Sequence, residues 1–432
     1  MARRIPDVIV VGAGAAGLAA AEALTRAGAS VLVLEGQARA GGRIWTRRIR
    51  GWPVPVELGA EFVHGRAAEV LDLARDAGLL VDILPDTHLQ WTESGWKSMH
   101  DFWSQWDSVT RRMRRDGRDR SVAEFLESRR RMSATRKRLA TSLVEGYHAA
   151  RVDRVSEHWL STAGDPPPEP GDEAQFRVVS GYDGVIRWLL SRIDPKLGRI
   201  RFSTAVRRIR WRTGSVSVGT GGPAEIRARR VVVTVPAAVL RAGGIRFHPE
   251  PDAHRRALEK IEAGHVVRIV LRFREPLWEG TAAARESGPS GVYFLHRWSA
   301  PFPTWWTAAP AQVPMIVGWA GGPAADHLRR LDRREILAQA IATLASLLDL
   351  RPARVRKSLL GWHRHDWGAD PFFREAYSYA GVGGASAADA LARPAGETLF
   401  FAGEATDREQ SGTVPGAIAS GRRAARQVLR TL

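Results

Sequence analysis

The feature that most constrains this chain is a glycine-rich turn between two short apolar runs. Residues 8–11 (VIVV) indicate a buried strand. Three glycines follow at the spacing G-x-G-x-x-G: Gly12, Gly14 and Gly17. The next segment is rich in Ala and Leu, as helices are, and Gly28 ends it before a second apolar run, residues 31–34, and an acid, Glu35. Strand, glycine turn, helix, strand and acid in this order are the context that a dinucleotide fingerprint requires.

Each glycine of the pattern has a physical role. Gly12 permits the tight turn, Gly14 lets backbone N–H groups approach a pyrophosphate, and Gly17 lets the helix pack closely on the strand. The N-terminus of the helix offers unpaired N–H donors to that anion. Glu35 lies 18 residues beyond Gly17, close to the spacing of a carboxylate that binds a ribose diol, and it disfavours NADP. The alternative is a glycine-rich turn in an ordinary α/β unit.

Two further motifs follow the acid. Residues 41–43 are GGR, and residues 57–65 are ELGAEFVHG. Together with the fingerprint, these motifs resemble those of the flavin amine oxidase family, the FAD enzymes that include monoamine and polyamine oxidases. The resemblance implies FAD rather than NAD. It also implies that Arg43 contacts the pyrophosphate and that the backbone of residues 58–60 lies along the isoalloxazine ring.

The resemblance covers nearly the whole chain and is weaker between residues 79 and 177. Residues 362–379 match the family pattern W-x-x-DPF…YSY, and residues 399–420 match the strand-to-helix connection that meets the flavin. Val206 matches a valine whose backbone pairs with adenine. The fingerprint and the resemblance together predict these cofactor-binding residues: Gly12, Gly14, Ala15, Ala16, Gly17, Glu35, Gly41, Gly42, Arg43, Leu58, Gly59, Ala60, Glu61, Val206, Gly403, Glu404, Thr413 and Val414.

The predicted fold class is α/β, of an α+β two-domain type. Two domains are expected because 432 residues are too many for one ordinary core. We expect a Rossmann-type FAD-binding domain and an interleaved substrate domain of mixed sheet plus helices. The expected boundaries are residues 1–78, 178–248 and 385–432 for the FAD-binding domain, and residues 79–177 and 249–384 for the substrate-binding domain. The run DPPPEP, residues 165–170, is a proline-stiffened connection, either a plain linker or part of the substrate entrance.

Composition argues against several classes of protein. A hydrophobic content of 44% and a charged content of 25% are typical of globular proteins. The chain has no run of 18 apolar residues, and we expect no C-terminal anchor helix of the kind that the membrane-bound monoamine oxidases carry. The first apolar run is the cofactor strand itself, so it cannot also be a cleaved signal. We therefore expect a cytoplasmic protein without a membrane span.

The chain contains no cysteine. Disulfides and thiolate metal sites are therefore excluded, and no metal site is predicted. Some members of the family bind FAD through a cysteine thioether, a bond that this chain cannot form. FAD is therefore expected to be held non-covalently.

The formal net charge of +18 raises the question of a nucleic-acid partner. The basic residues are mostly scattered arginines, and the two runs at residues 111–115 and 129–138 have the pattern of solvated helix faces. We therefore expect no specific nucleic acid. The resemblance to the flavin amine oxidases implies a small-molecule partner, an amine. The oligomeric state stays open, with a homodimer among the alternatives.

The expected chemistry needs a neutral amine, because a protonated nitrogen withdraws the electrons that the α-carbon must give up as hydride to flavin N5. An apolar aromatic pocket favours the neutral form by desolvation. The candidate walls are Trp367, Tyr377 and Tyr379, for which the alternative is core packing. His64 and Glu61 follow the flavin-lining segment and are candidates to touch substrate, although a lone His is more often structural.

Three positions depart from the family pattern. Arg268 stands where many members have a Lys that holds a water against flavin N5; Arg keeps the charge but does not deprotonate, which puts fast reoxidation by O2 in question. Thr413 stands where monoamine oxidases have a Tyr of an aromatic cage. Glu375 stands where a Gly is common, and we expect it to pair with a cationic substrate or with Arg374.

The main hypothesis is an FAD-dependent amine oxidoreductase whose imine product hydrolyses, with O2 as acceptor and hydrogen peroxide as co-product. A rival keeps the fold and desaturates C–C bonds, as related FAD enzymes such as protoporphyrinogen oxidase do; a long, apolar, uncharged tunnel would favour it. A second rival is a flavoprotein without turnover, in which FAD is structural or sensing. Arg268, in the place of the usual Lys, keeps that rival open. The five residues predicted to be catalytic are Arg268, His64, Trp367, Tyr377 and Tyr379.

Overall fold

The structure is a computed structural model that describes residues 5–65, 67–99, 102–162 and 174–432. The DPPPEP connection predicted at residues 165–170 lies outside the described residues.

Short strands and helices alternate along the chain. The strands are β1 (Val8–Val11), β2 (Val31–Leu34), β3 (Thr46–Arg47), β4 (Val56–Glu57), β5 (Phe62–His64), β6 (Val81–Ile83), β7 (His88–Thr92), β8 (Gly95–Ser98), β9 (Gln175–Val178), β10 (Gly198–Arg201), β11 (Arg208–Arg212), β12 (Ser215–Gly219), β13 (Glu225–Ala228), β14 (Arg230–Val233), β15 (Arg246–His248), β16 (Ile261–Gly264), β17 (Val266–Phe273), β18 (Phe294–His296), β19 (Thr304–Thr307), β20 (Met315–Gly321), β21 (Leu359–His365), β22 (Tyr377–Ala380) and β23 (Leu399–Phe401). The α-helices are α1 (Ala15–Arg26), α2 (Ala68–Asp76), α3 (Phe102–Thr110), α4 (Val122–Ser128), α5 (Ala134–Gly146), α6 (Glu157–Thr162), α7 (Asp183–Arg192), α8 (Ala237–Arg241), α9 (Asp252–Leu258), α10 (Ala282–Ser287), α11 (Gly322–Leu328), α12 (Arg333–Leu348), α13 (Pro352–Ser358), α14 (Ala387–Ala392) and α15 (Val414–Leu429).

A five-stranded parallel sheet carries the glycine turn. Its strand order is β10-β2-β1-β14-β23, and every neighbouring pair is parallel. Alternate residues of β1 face opposite sides: Val8 and Val10 pack against α1, α7 and α15, whereas Ile9 and Val11 pack against the four-stranded sheet β13-β12-β11-β15. Because both faces are covered, the strands are apolar throughout, as parallel strands usually are.

Helices α1 and α15 pack closely against each other and against the turn. A Cβ on Gly17 would lie 1.9 Å from the carbonyl oxygen of Gly12, so glycine is what lets α1 begin this close to the strand. A Cβ on Gly421 would lie 2.2 Å from the carbonyl oxygen of Ala16, so α15 crosses the first turn of α1. Residues at the starts of both helices line one cavity.

The largest sheet has seven strands in the order β21-β17-β20-β19-β18-β7-β8, antiparallel except for the parallel pair of β18 and β7. One face packs against α10 to α13. On the other face, a row of directly opposed residues crosses four strands: Arg268, Trp319, Thr304 and His296. All four line the same cavity as the helix starts.

Helices α3 to α6 form a lobe beside this face of the large sheet, with a core that includes Phe125, Trp159 and Tyr379. The end of α5 is held against the sheet because Nε1 of Trp319 donates a hydrogen bond of 2.8 Å to the carbonyl oxygen of Gly146. The residues that follow α5 are therefore placed at the cavity.

Elements β1, α1 and β2 occupy the residues predicted for them. The domain boundaries stay a prediction. Within the described ranges, no single helix has the length and apolar composition of a membrane span; α12 and α13 meet that test only as a pair, which is bent by 113°.

Candidate active site

A cavity of about 1360 Å³ runs between the parallel sheet and the seven-stranded sheet. At one end, here named the glycine end, it is lined by the turn after β1, the GGR segment and the starts of α1 and α15. At the other, the aromatic end, it is lined by β5, the cavity face of the seven-stranded sheet, α3 and the end of α5. The two ends meet at residues 58–60.

The glycine end is built of bare backbone. Gly12 has a φ of +108°, which residues with a side chain rarely adopt. A Cβ on Gly14 would meet no atom nearer than Cα of Gly42, at 3.9 Å, so the space beside it is open to a ligand. Gly14 caps α1 without a side-chain acceptor, and the first turn holds no acid, so the first N–H groups stay available to an anion. This arrangement fits the pyrophosphate of a dinucleotide.

Glu35 closes this end of the cavity. Its Oε2 accepts a hydrogen bond of 2.7 Å from the amide of Ala13, and its Oε1 accepts one of 2.8 Å from the amide of Gln37. Each oxygen keeps a second lone pair, which suits a ribose hydroxyl. Val206 lines the same end. These residues fit the adenosine half of FAD.

The start of α15 lies at the cavity because its cap is tightly bonded. Oγ1 of Thr413 accepts a hydrogen bond of 3.1 Å from the amide of Gly416 and donates one of 2.7 Å to the carbonyl oxygen of Gln410. Thr413 and Val414 both line the cavity. A second helix N-terminus therefore adds its partial positive charge to the same site.

Arg43 lies between two acids. Its Nη1 donates a hydrogen bond of 2.9 Å to Oε1 of Glu404 and lies 3.8 Å from Oε1 of Glu375. The other oxygen of Glu404 accepts hydrogen bonds from Oγ of Ser378 (2.7 Å) and from the amide of Gly412 (3.0 Å). Glu404 therefore orients Arg43 and holds the loop before α15.

Glu375 is fully buried beneath Arg43. Its Oε1 accepts a hydrogen bond of 3.3 Å from the amide of Ala238, and its Oε2 has no partner among the described residues. Burial raises the pKa of Glu375 to about 8; the charge of Arg43 opposes this shift and that of Glu404 adds to it. Glu375 does not line the cavity, so the expected pairing with substrate or with Arg374 is wrong.

Trp367 supports the segment where the two ends meet. Its Nε1 donates a hydrogen bond of 2.9 Å to the carbonyl oxygen of Leu58. A Cβ on Gly59 would lie 3.0 Å from Cζ2 of Trp367 and 1.8 Å from the carbonyl oxygen of Arg43. The segment can therefore lie flat between the indole and Arg43 only with glycine at this position.

Arg268, Glu61 and Arg177 form what we name the arginine cluster. Arg268 is 3% exposed; its Nη1 donates a hydrogen bond of 2.8 Å to the carbonyl oxygen of Gly59, and its Nη2 donates to Glu61. Glu61 also accepts hydrogen bonds from Nη2 of Arg177 (2.7 Å) and from Nε1 of Trp306 (3.2 Å). Two positive charges and one negative charge thus lie beside the segment where the two ends meet.

The aromatic end is a chamber of rings. The ring centroids of His64 and Tyr147 lie 5.1 Å apart, those of Trp103 and Tyr147 lie 5.6 Å apart, and the hydroxyl of Tyr377 donates to the carbonyl oxygen of Tyr147 at 2.7 Å. Burial lowers the pKa of His64 to about 4 and that of His148 to about 4, the latter with a smaller contribution from His64. Both imidazoles are therefore uncharged near pH 7.

The cavity brings together nearly all of the predicted site residues. Every predicted cofactor-binding residue except Gly17 lines it, and Gly17 packs against Gly12 instead. Arg268, His64, Trp367 and Tyr377 also line it.

Tyr379 does not line the cavity; it is buried in the core of the helical lobe with Phe125 and Trp159. Tyr377 and Tyr379 lie on the same face of β22, but two residues of strand carry Tyr379 about 7 Å further along, past the cavity wall. Alternation along a strand indicates which face a residue shares, and it does not indicate where the cavity ends.

Three lining or supporting residues were missed from the sequence: Arg177, Tyr147 and His148. The segment containing Tyr147 and His148 resembles a family segment, a signal that could have led to them. Arg177 has no local signal, because its partner Glu61 is 116 residues away in the chain.

Solved structures with the same fold include a wild-type putrescine oxidase bound to putrescine, with 20% identity, a TM-score of 0.82 and coverage of 98% of this chain and 99% of that one. The cyclohexylamine oxidase from Brevibacterium oxydans IH-35A has 22% identity, a TM-score of 0.82 and coverage of 99% of both chains. These similarities confirm the predicted fold class.

Two curated relatives align with almost the entire chain. Polyamine oxidase 1 of Oryza sativa subsp. japonica is 28% identical, with coverage of 99% of this chain and 98% of the relative. Lysine-specific histone demethylase 1 homolog 2 of the same plant is 27% identical, with coverage of 99% of this chain and 57% of the relative. The chain thus spans about half the length of the demethylase relatives that it matches.

A family model described as flavin-containing amine oxidoreductase matches residues 15–429. This match spans nearly the whole chain and confirms both the predicted family and the predicted cofactor, FAD. The chain therefore belongs to the flavin-containing amine oxidoreductases, and it is an FAD-dependent enzyme of that family.

Proposed function

We propose that this enzyme oxidises an amine. The glycine end would hold FAD non-covalently, and the bound flavin would supply the two-electron acceptor for oxidation of the neutral amine. The imine product would be released and hydrolysed to a carbonyl compound, with O2 as the final electron acceptor and hydrogen peroxide as the co-product. The observation that carries this proposal is the continuity of the cavity, in which a dinucleotide site of bare backbone opens directly into a chamber of aromatic rings.

The glycine end would hold the cofactor through the two helix starts, Glu35 and Arg43. Bound there, FAD supplies the two-electron acceptor of the reaction. The segment of residues 58–60 would lie along the isoalloxazine ring, and the indole of Trp367 keeps that segment in place through its bond to Leu58.

The aromatic end would bind the amine in its neutral form. Transfer of an ammonium group from water to a chamber of aromatic rings is costly, so burial favours loss of its proton. His64 and His148, whose pKa values burial lowers to about 4, are uncharged and do not repel a cation as it enters. The similar proteins include putrescine, cyclohexylamine and polyamine oxidases, which supports an amine as the substrate.

The arginine cluster would favour O2 as the electron acceptor. Its two arginines and one glutamate carry a net charge of +1, the charge that a single Lys brings in other members of the family. A fixed positive charge in a buried site stabilises the anions formed when O2 is reduced. The cluster would therefore replace the Lys in charge although not in proton transfer.

The desaturase alternative fits the cavity less well. An uncharged apolar tunnel would favour it, whereas this cavity is lined by Arg268 and Glu61 of the arginine cluster and by imidazoles that include those of His64, His148 and His296. Polar groups at these positions suit a substrate that carries a nitrogen.

The first experiment is anaerobic mixing of the purified enzyme with benzylamine, cyclohexylamine, putrescine, spermidine and L-amino acids. Loss of the visible absorbance of oxidised FAD with at least one of them is expected, followed by formation of one carbonyl product per flavin reduced. If none of these amines reduces the flavin, the amine assignment fails.

The second experiment tests the acceptor. After reduction by dithionite, Arg268→Met is expected to reoxidise in air about tenfold more slowly than the wild type, the effect of about 1.4 kcal/mol of lost stabilisation. Arg272→Met is the matched control, because Arg272 lies on the same strand and does not line the cavity. Equal reoxidation rates in the two variants would remove the proposed role of the arginine cluster.

A further inference from the structure

A chain of polar side chains leads from the aromatic end of the cavity to the surface. Oγ1 of Thr304 lies 3.2 Å from Nδ1 of His296, and Nε2 of His296 lies 2.9 Å from Nδ1 of His88. Nε2 of His88 has no hydrogen bond among the described residues, and Oδ1 of Asp86 lies 3.2 Å from it. Three short steps therefore join the cavity wall to a surface carboxylate.

The two imidazoles are enclosed, whereas the carboxylate is not. His88 is 3% exposed and His296 is 5% exposed, but the side chain of Asp86 is 62% exposed. The imidazole planes are parallel within 4°, and the ring of His88 stacks on Phe102 at 4.2 Å and on Phe294 at 4.6 Å. The ring of His88 is therefore held between two phenyl rings, and both imidazoles line the cavity beside Thr304.

The charges around the pair set the direction of its hydrogen bonds. A carboxylate only accepts, so it favours the tautomer in which His88 carries its proton on Nε2, towards Asp86. Nδ1 of His88 then accepts from Nε2 of His296, and Nδ1 of His296 accepts from the hydroxyl of Thr304. Every donor thus points outward, and the oxygen of Thr304 keeps a lone pair for a group in the cavity.

The inner end of the chain lies near the predicted site of reaction. Thr304 is directly opposite Trp319, and Trp319 is directly opposite Arg268. Two strand spacings separate the backbones of Thr304 and Arg268, about 10 Å. A substrate nitrogen in the aromatic end can therefore reach Thr304 directly or through one bound water.

Amine oxidation needs a route by which a proton can leave the cavity. A primary amine is protonated in water below pH about 10, whereas the neutral form reacts, so one proton must leave with each substrate that binds. Burial holds the pKa of His64 and of His148 near 4, so neither is a good acceptor at pH 7. The carboxylates of Glu61 and Glu404 are already bonded to arginines.

We propose that Thr304, His296, His88 and Asp86 form a proton relay that deprotonates the bound substrate ammonium. The N–H bond of the ammonium breaks as Oγ1 of Thr304 takes the proton; the hydroxyl proton moves to His296, the Nε2 proton of His296 moves to His88, and the Nε2 proton of His88 moves to Asp86. Asp86 then releases one proton to solvent, and the substrate is left neutral. This inference rests on the proposed function.

Few other groups can titrate beside the relay. Asp86 precedes β7 and faces His88, and the hydroxyl of Thr304 faces His296 from β19. Among the described residues, α3 presents the rings of Phe102 and Trp103 to His88, and β18 presents Phe294. A change in pH dependence on altering the relay can therefore be assigned to its own members.

The test measures the rate of anaerobic flavin reduction by the fastest amine of the panel between pH 7 and 10. Thr304→Val, which keeps the shape and removes the hydroxyl, is expected to reduce its flavin about 10- to 100-fold more slowly at pH 7, within the usual range for lost proton transfer. The deficit should shrink towards pH 10, where the amine is already neutral in solution. Thr304→Ser should behave as the wild type.

Asp86→Asn tests the outer end without disturbing the buried pair. In weakly buffered solution with a pH indicator, the wild type should release one proton per substrate bound, and Asp86→Asn should release it several-fold more slowly. Asp82→Asn, at another exposed acid nearby, is the matched control and should not change the rate.

The outcomes separate the relay from the proposed function. If no amine reduces the wild-type flavin, the proposed function fails and the relay fails with it. If the wild type is reduced but Thr304→Val shows a deficit that is equal at pH 7 and pH 10, or Asp86→Asn releases its proton at the wild-type rate, the relay alone is overturned.

Discussion

The two ends of the cavity are made of different materials. The glycine end is mostly backbone: a turn with positive φ, two helix starts and a carboxylate that is bonded to amides. The aromatic end is made of side chains, with rings from several elements and two arginines that share one glutamate. A backbone site recognises what all dinucleotides share, whereas a side-chain site sets which substrate is accepted.

The two ends also differ in how far apart in the sequence their residues lie. The fingerprint lies within residues 7–43 and is formed by two strands, one turn, one helix and the acid that follows them. The arginine cluster joins Glu61 to Arg177, Arg268 and Trp306, which are 116, 207 and 245 residues away. Substitutions at the glycine end should therefore act through local geometry, and those at the aromatic end through buried charge.

The largest expected effect follows from filling the open space beside Gly14. In Gly14→Val the backbone angles are allowed, and the new Cβ meets no protein atom nearer than 3.9 Å, but the side chain occupies the expected place of the pyrophosphate. We expect folded protein with an FAD affinity reduced at least about a hundredfold, the equivalent of ~3 kcal/mol. Bound flavin per chain and the circular dichroism spectrum measure the two quantities.

Two other glycines serve as controls. Gly17→Val places its Cβ 1.9 Å from a carbonyl oxygen, so it should lose folding as well as flavin. Gly222→Ala meets no atom within 4 Å and should lose neither. Normal flavin content in Gly14→Val would break the assignment of the glycine end.

The next effect comes from removing the shared acid of the arginine cluster. Glu61→Ala leaves the guanidinium groups of Arg268 and Arg177 buried beside each other without their carboxylate. We expect a loss of about 3 kcal/mol in the free energy of unfolding, typical of a broken buried ion pair. Urea denaturation with an unchanged m-value is the measurement.

A surface glutamate gives the matched comparison. Glu225 also bridges two arginines, Arg208 and Arg210, but on the exposed face of a strand. Water screens that cluster, so Glu225→Ala should change stability far less than Glu61→Ala. Equal losses in the free energy of unfolding for the two variants would mean that burial does not strengthen the ion pairs of the arginine cluster.

Glu375 is the exception to the backbone character of the glycine end. Burial raises its pKa to about 8, against 4.5 when unfolded. Between these pH values the unfolded state has released a proton that the folded state keeps, so the free energy of unfolding falls as pH rises. Glu57 and Glu145, whose pKa values burial raises to about 7, act in the same direction.

Glu375→Gln should remove the contribution of Glu375 to this fall in the free energy of unfolding. As pH rises from 5 to 8, the free energy of unfolding of the variant is expected to increase relative to that of the wild type, by about 3 kcal/mol at pH 8. Urea titrations at a series of pH values give the difference. A difference that does not vary with pH would show that Glu375 is ionised throughout and is paired with Arg43.

Motifs in the sequence were enough to predict most of the glycine end. The spacing of Gly12, Gly14 and Gly17 encodes a local geometry, and Arg43 and Thr413 were reached through motifs that occur at fixed places in the family. All of them except Gly17 line the cavity, and Gly17 packs against Gly12. Local geometry can be predicted because the residues that determine it are near one another in the chain.

Pairings at the aromatic end were beyond such prediction. Arg268 was recognised by position, but no pattern indicated that Glu61 and Arg177 would hold it. The expected partners of Glu375 were wrong for the same reason, because the partner of a buried charge is set by how distant segments pack. The relay through His88 and His296 likewise joins residues 208 positions apart.

The smallest expected effect concerns His64, and it tests whether the aromatic end is dry. Burial lowers the pKa of His64 from 6.5 to about 4, so its charge does not change between pH 5.5 and 8. In His64→Phe, which keeps a ring in the chamber, KM should change less than about tenfold, since only one neutral contact is altered. The pH dependence of kcat/KM over that range should keep its shape. If the pH profile of the wild type has an inflection near pH 6.5 that the variant lacks, water reaches the imidazole of His64. The two ends of the cavity would then differ only in how far apart in the sequence their residues lie.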